Sequence, residues 1–175
     1  MKTKKRSSRW LTVLATLLIL VGIGTIGVTV LFPDRAEKTV GQVRIATGQV
    51  VMKVSGQKYP RVTLGPQGNK AALDRCDGSF IEMGAYHLEG LQPVYAAHNA
   101  CKGEAILPLR VGDLVEVTDR GLYEIVDQRD LKKTWSTTDQ LLGMQGDFIL
   151  QTCYYGENRM KFIALAPAED APRTQ

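Results

Sequence analysis

The chain has 175 residues, with 22 Lys and Arg against 18 Asp and Glu and a net charge of +4. Five of those basic residues (Lys2, Lys4, Lys5, Arg6 and Arg9) precede the first long apolar run, leaving 17 basic against 18 acidic, a net −1, for the rest. No basic stripe with interleaved aromatics occurs in that remainder, which excludes nucleic-acid binding as a function class.

From Leu11 to Phe32 the sequence runs 22 residues without an ionisable side chain. As a helix rising about 1.5 Å per residue it spans roughly 33 Å, enough to cross a hydrocarbon core of about 30 Å. The run ends in Val30-Leu31-Phe32-Pro33-Asp34, a poor context for signal cleavage. The expectation is an uncleaved signal anchor over 11–32, with Trp10 at the cytoplasmic interface. The basic flank, residues 1–10, keeps the N-terminus cytoplasmic. The chain is then a single-pass protein of the cell membrane, extracellular after about Pro33. Gly22-Ile23-Gly24-Thr25-Ile26-Gly27 matches the glycine spacing of a dinucleotide fingerprint, but no strand precedes it and no βαβ unit surrounds it. The same glycines suit close approach of two membrane helices.

Residues 33–41 are charged and polar and read as a short stalk, with one domain after it over 42–166. Short apolar runs punctuated by Gly, Pro and Asn predict strands at 43–46, 50–54, 94–97, 114–117, 122–126, 148–152 and 161–165. Several alternate with period two, and Asp119-Arg120-Gly121 reads as a hairpin connection with glycine at a positive φ. Helical periodicity is weak, with short turns expected near 68–73 and 138–142. Seven or eight short strands argue for an all-β domain, a closed barrel or a sandwich. The Ala-, Pro- and charge-rich tail, 167–175, is expected to be disordered. No HExxH, EF-hand or P-loop pattern and no paired-cysteine zinc spacing occurs, so neither a metal nor a cofactor is expected.

Three cysteines outside the cell leave one unpaired. Cys76, in Arg75-Cys76-Asp77-Gly78, and Cys101, in Asn99-Ala100-Cys101-Lys102-Gly103, both sit in turn-like sequence and form the favoured pair. Their bridge would contribute roughly 3 kcal/mol by the loop-entropy argument. Cys153 then stays free at the end of an extended apolar run. A bridge from Cys153 to another cysteine, or a purely structural buried thiol, remains open on placement alone. His98 follows Val94-Tyr95-Ala96-Ala97 and also sits at a strand end, so thiol and imidazole can face each other across a cleft. His87, in Ala85-Tyr86-His87-Leu88-Glu89, lacks that placement and reads as structural. Arg159 and Lys161 compete as the cation beside the sulfur. Arg is always charged and presents a rigid fork of donors, which favours Arg159.

This set resembles the catalytic constellation of the sortases, membrane-anchored cysteine transpeptidases of mainly Gram-positive bacteria. Val94-Tyr95-Ala96-Ala97-His98 looks like the strand that ends in the catalytic histidine. Leu109-Arg110-Val111-Gly112-Asp113 with Leu114 to Val117 is similar to the Gly-Asp turn and strand that follow it. Leu150-Gln151-Thr152-Cys153 is similar to the nucleophile motif Thr-Leu-any-Thr-Cys, matching at Thr152 and Cys153, with Ile149 in place of the first Thr. The resemblance covers about 94–166. The link from Cys153 to Arg159 is shorter than usual in the family and lets Lys161 align with the family arginine instead. Cys76 and Cys101 are not part of the family pattern.

The resemblance implies a closed, sortase-like β-barrel of about eight strands. It implies Cys153 as nucleophile, His98 as general acid/base and Arg159, or alternatively Lys161, as the oxyanion or substrate-binding cation. The implied substrate is the C-terminal sorting signal of a secreted surface protein. The acyl group would pass to an amine, either a cell-wall precursor or a pilin lysine. Two other classes stand beside it. One is a non-catalytic anchored β domain with Cys153 in a disulfide; the other is a cysteine peptidase that transfers acyl groups to water.

Overall fold

The computed structural model describes residues 7–134 and 136–168. The basic residues from Lys2 to Arg6 and most of the expected disordered tail, from 169 onward, lie outside the described residues. Helix α1 spans Ser7–Leu31, and its Trp10–Leu31 stretch is long and apolar enough to cross a membrane. None of that stretch is buried by the rest of the chain, as suits a membrane anchor or a signal sequence.

Helix α2, Pro33–Val54, follows after Phe32 alone. It replaces the expected stalk at 33–41 and the expected strands at 43–46 and 50–54. Its ends explain the difference. Pro33 stands in the first turn, where a missing N–H costs nothing, with Asp34 at the N-terminal and Lys53 at the C-terminal end of the helix dipole. The helix docks through a glycine. A Cβ at Gly41 would stand 2.7 Å from Tyr155 Cβ, so Gly41 alone lets the Tyr155 ring close on the helix. Polar links flank it: Lys38 pairs with Glu157 at 3.3 Å, and Arg44 reaches Glu104 at 3.3 Å and the Ala100 carbonyl at 2.8 Å.

Eight strands form one sheet: β1 Arg61–Val62, β2 Leu64–Gly68, β3 Phe80–Met83, β4 Val94–Ala96, β5 Leu114–Val117, β6 Gly121–Leu131, β7 Phe148–Cys153 and β8 Met160–Pro167. Their order is β1-β5-β6-β8-β7-β4-β3-β2. The two outermost strands, β1 and β2, are separated in sequence only by Thr63, so the sheet curls into a nearly closed barrel. A short helix α3, Lys70–Asp74, capped by the Asn69 side chain, links β2 to β3. It and a 3₁₀ turn at Thr138–Leu141 correspond to the two expected helical turns. Five of the seven expected strands are present. β1, β2 and β3 were not apparent from the sequence, and Pro167 ends β8 rather than opening a tail.

Two apolar clusters hold the barrel. The inner one takes Val62, Phe80, Tyr95, Val115, Val117, Ile125, Phe148, Leu150, Ile163 and Leu165 from the strands. The outer one packs Val94, Ile149, Phe162 and Ala164 of β4, β7 and β8 beneath Tyr86, Leu91, Leu141 and Met144 from the covering loops. β7 is therefore buried on both faces, which is why its first three residues, Phe148, Ile149 and Leu150, are all apolar rather than alternating.

Candidate functional site

β4 and β7 run parallel, with Val94 opposite Ile149, Tyr95 opposite Leu150 and Ala96 opposite Gln151. The ladder continues past the strand end: the Ala97 N–H donates to the Gln151 carbonyl at 3.1 Å, and the Thr152 hydroxyl donates to the Ala97 carbonyl at 2.9 Å. Carried one step further, this register sets the His98 backbone level with that of Cys153, and among the described residues the two side chains make no hydrogen bond to each other. The histidine's loop is then turned tightly, its carbonyl accepting from the Cys101 N–H at 2.8 Å and the Gly103 N–H at 3.1 Å. Gly103 is required by contact, since a Cβ there would lie 2.7 Å from both the Ala97 and His98 carbonyl oxygens.

Strand alternation puts Cys153 on the outer face with Ile149 and Gln151, and Thr152 on the inner face. Cys153 is the free thiol, partly exposed, while Cys76 and Cys101 form a disulfide with a Cα–Cα distance of 5.1 Å. The bridge that would have tied up Cys153 is thus made elsewhere. The Gln151 amide lies 3.9 Å from Cys153 Sγ. Tyr86, whose ring packs edge-on against Phe162 at 6.0 Å, interacts electrostatically with Cys153. Burial pushes the Tyr86 hydroxyl's pKa up, and the negative charge of Cys153 adds to that.

His98 has a partner that sequence reasoning missed: Asp74 Oδ1 lies 2.8 Å from its Nε2. Asp74 Oδ2 accepts from Lys70 Nζ at 2.7 Å. Lys70 first and His98 second hold the Asp74 carboxyl below the usual carboxylate pKa. The signal for Asp74 was its place two residues before a bridged cysteine; for Tyr86 no signal existed. His87 is exposed.

The two candidate cations follow the parity of Thr152, not of Cys153. Arg159 stacks on the Tyr154 ring at 3.9 Å and pairs with Asp130 at 3.1 Å and Glu157 at 3.0 Å. The Tyr154 hydroxyl donates to Asp130 at 3.0 Å, and burial together with that carboxylate pushes its pKa up to about 12. Lys161 is 2% exposed and donates to the Leu107 carbonyl at 3.0 Å and to the Leu109 carbonyl. Burial pushes its pKa down. Among the described residues, neither cation makes a hydrogen bond to Cys153, and no three His, Cys, Asp or Glu side chains gather to hold a metal ion.

A cleft of about 1220 Å³ opens between α2 and the barrel, bordered by Val43, Met52, Tyr59, Lys102 and Leu109. Neither Cys153 nor His98 lines it, so the thiol sits on the rim of the barrel rather than in this cleft. No protein-family model, no curated protein and no solved structure matches the chain.

Proposed function

We propose that the chain is a sortase-type cysteine transpeptidase, anchored in the cell membrane by α1 with its barrel extracellular. The observation that carries this reading is the parallel β4–β7 ladder, whose register, continued by two residues, sets His98 beside Cys153, the free cysteine. Cys153 as thiolate attacks the carbonyl of a peptide bond in a C-terminal sorting signal. The C–N bond breaks, protonated His98 gives its proton to the leaving amine, and an acyl-enzyme remains. An amine of a cell-wall precursor or a pilin lysine then attacks the thioester, and neutral His98 takes its proton as Cys153 is released. The acyl bond energy is kept in the thioester, so the exchange needs no nucleotide.

Arg159 is the cation we assign to the oxyanion. Its side chain is 43% exposed and sits beside the hairpin end, whereas Lys161 is enclosed and spent on two carbonyls. Substrate must draw Arg159 away from Asp130 and Glu157, an exchange within reach because exposed ion pairs are weak. Cys153→Ala is expected to abolish formation of a covalent acyl-enzyme, read by mass spectrometry with a sorting-signal peptide, while circular dichroism stays unchanged. Retained acylation would sink the assignment. Product analysis with and without an added amine separates transfer from hydrolysis.

A further inference from the structure

We infer that Asp74 is the positioning residue of His98, and that the Cys76–Cys101 disulfide is what keeps the two together. The inference rests on the transpeptidase reading above and deepens it. Asp74 and His98 belong to separate loops, one ending α3 and one leaving β4. Each carboxylate oxygen has its own partner, Oδ1 to His98 Nε2 at 2.8 Å and Oδ2 to Lys70 Nζ at 2.7 Å, which sets the plane of the group. The side chains of Asp74 and His98 are 44% and 41% exposed. A pair so open to water does not order two loops by itself.

The disulfide supplies that order. Cys76 lies two residues after Asp74 and Cys101 three after His98, and the Cys101 N–H is bonded back to the His98 carbonyl. The bridge therefore fixes both partners within a few bonds of the covalent tie. With Nε2 engaged by a carboxylate, neutral His98 carries its proton on Nε2, and Nδ1 is left with the lone pair. Nδ1 takes the thiol proton of Cys153, giving thiolate and imidazolium, and later returns it to the leaving amine. The charged groups on the elements packed around His98 are Asp74 and Lys70 of α3, Lys102 and Glu104 of its own loop, Arg44 of α2 and Cys153 of β7. Of these, Asp74 is the carboxylate bonded to the ring.

The test is the rate of Cys153 alkylation by iodoacetamide against pH, on the full chain in detergent micelles with its disulfide formed. Asp74→Asn is expected to lower the rate at pH 7 about tenfold, because the imidazolium loses its carboxylate partner. Asp74→Glu should recover most of it. The double variant C76S/C101S, whose sole thiol is Cys153, should lose as much as Asp74→Asn, and adding D74N to it should change nothing more. A ¹⁵N imidazole spectrum of the native protein and of folded Asp74→Asn reads the same point without chemistry: the Nε2–H form should dominate only in the native protein. If His98→Gln slows alkylation but Asp74→Asn leaves rate and spectrum untouched, the positioning role is overturned while the catalytic reading stands. If His98→Gln also has no effect, the catalytic reading itself fails. A C76S/C101S protein with native rate and native tautomer overturns the part given to the disulfide.

Discussion

On the inner face of the β7–β8 hairpin, Thr152 and Lys161 direct their polar atoms to backbone carbonyls: Thr152 to Ala97, Lys161 to Leu107 and Leu109. On the outer face one residue away, Gln151 and Cys153 share only a 3.9 Å approach, and Cys153 remains partly open. Both pairs are polar or ionisable residues in the most buried strands of the barrel. The inner pair is fully satisfied and holds the β4 loop and the 107–109 segment against the hairpin. Of the outer pair, Gln151 is buried with its amide turned toward the sulfur, and Cys153 alone is partly open to solvent. Within one hairpin, then, satisfaction of the polar groups separates what supports the fold from what is free to react.

The comparison breaks if outer-face changes cost as much stability as inner-face ones. The largest effect is expected for Lys161→Met, which keeps the volume but strands two carbonyls. It should lose about 2 kcal/mol, or roughly 4–8 °C in melting temperature. Its pH dependence has a definite sign. The folded-state pKa of Lys161 lies below 10.5, so the unfolded chain binds more protons than the native one as pH rises toward that value. Native stability minus that of Lys161→Met should therefore increase with pH through the window below 10.5. A flat difference in chemical denaturation would show that Lys161 carries no burial penalty. Next, Thr152→Val should cost about 1 kcal/mol and also slow Cys153 alkylation, because the Ala97–His98 segment loses its tie to β7. The smallest effect is expected for Gln151→Met: under about 0.5 kcal/mol in stability, with only the alkylation rate of Cys153 changed. A large stability loss there would erase the distinction between the faces.

The strands that carry the candidate site residues were more legible than the frame around them. His98 follows the apolar Val94-Tyr95-Ala96-Ala97 directly and Cys153 stands three residues after Phe148-Ile149-Leu150, because β4 and β7 are covered on both sides and hydropathy records that. α2 was hidden because its docking surface is a glycine and a few charged side chains, which leave no apolar stripe. Its valines, including Val43, Val50 and Val51, are exposed and mimic strand sequence. β2 was hidden because Leu64-Gly65-Pro66-Gln67-Gly68 breaks the usual strand composition. A proline and two glycines are tolerated there because β2 is an edge strand, paired on one side only. Asp74 becomes visible only when a disulfide is treated as bringing its flanking residues together along with the sulfurs.

The one-residue break at Thr63 has a mechanical consequence. Among the described residues no ladder pairs β1 with β2; the chain around Thr63 is held only to its outer neighbours, by the Phe80 N–H to the Thr63 carbonyl at 2.8 Å, the Thr63–Thr118 hydroxyl pair at 2.9 Å and the Thr118 N–H to the Val62 carbonyl at 2.9 Å. Opposite, β6 and β8 are laced along eight residue pairs. A cylinder with one soft seam flexes there first, and the flap that swings with it is β2, α3 and the chain leading to β3. That flap carries Asp74. The Cys76–Cys101 bridge rivets it to the β4 loop, so the seam can loosen without disturbing the alignment of His98.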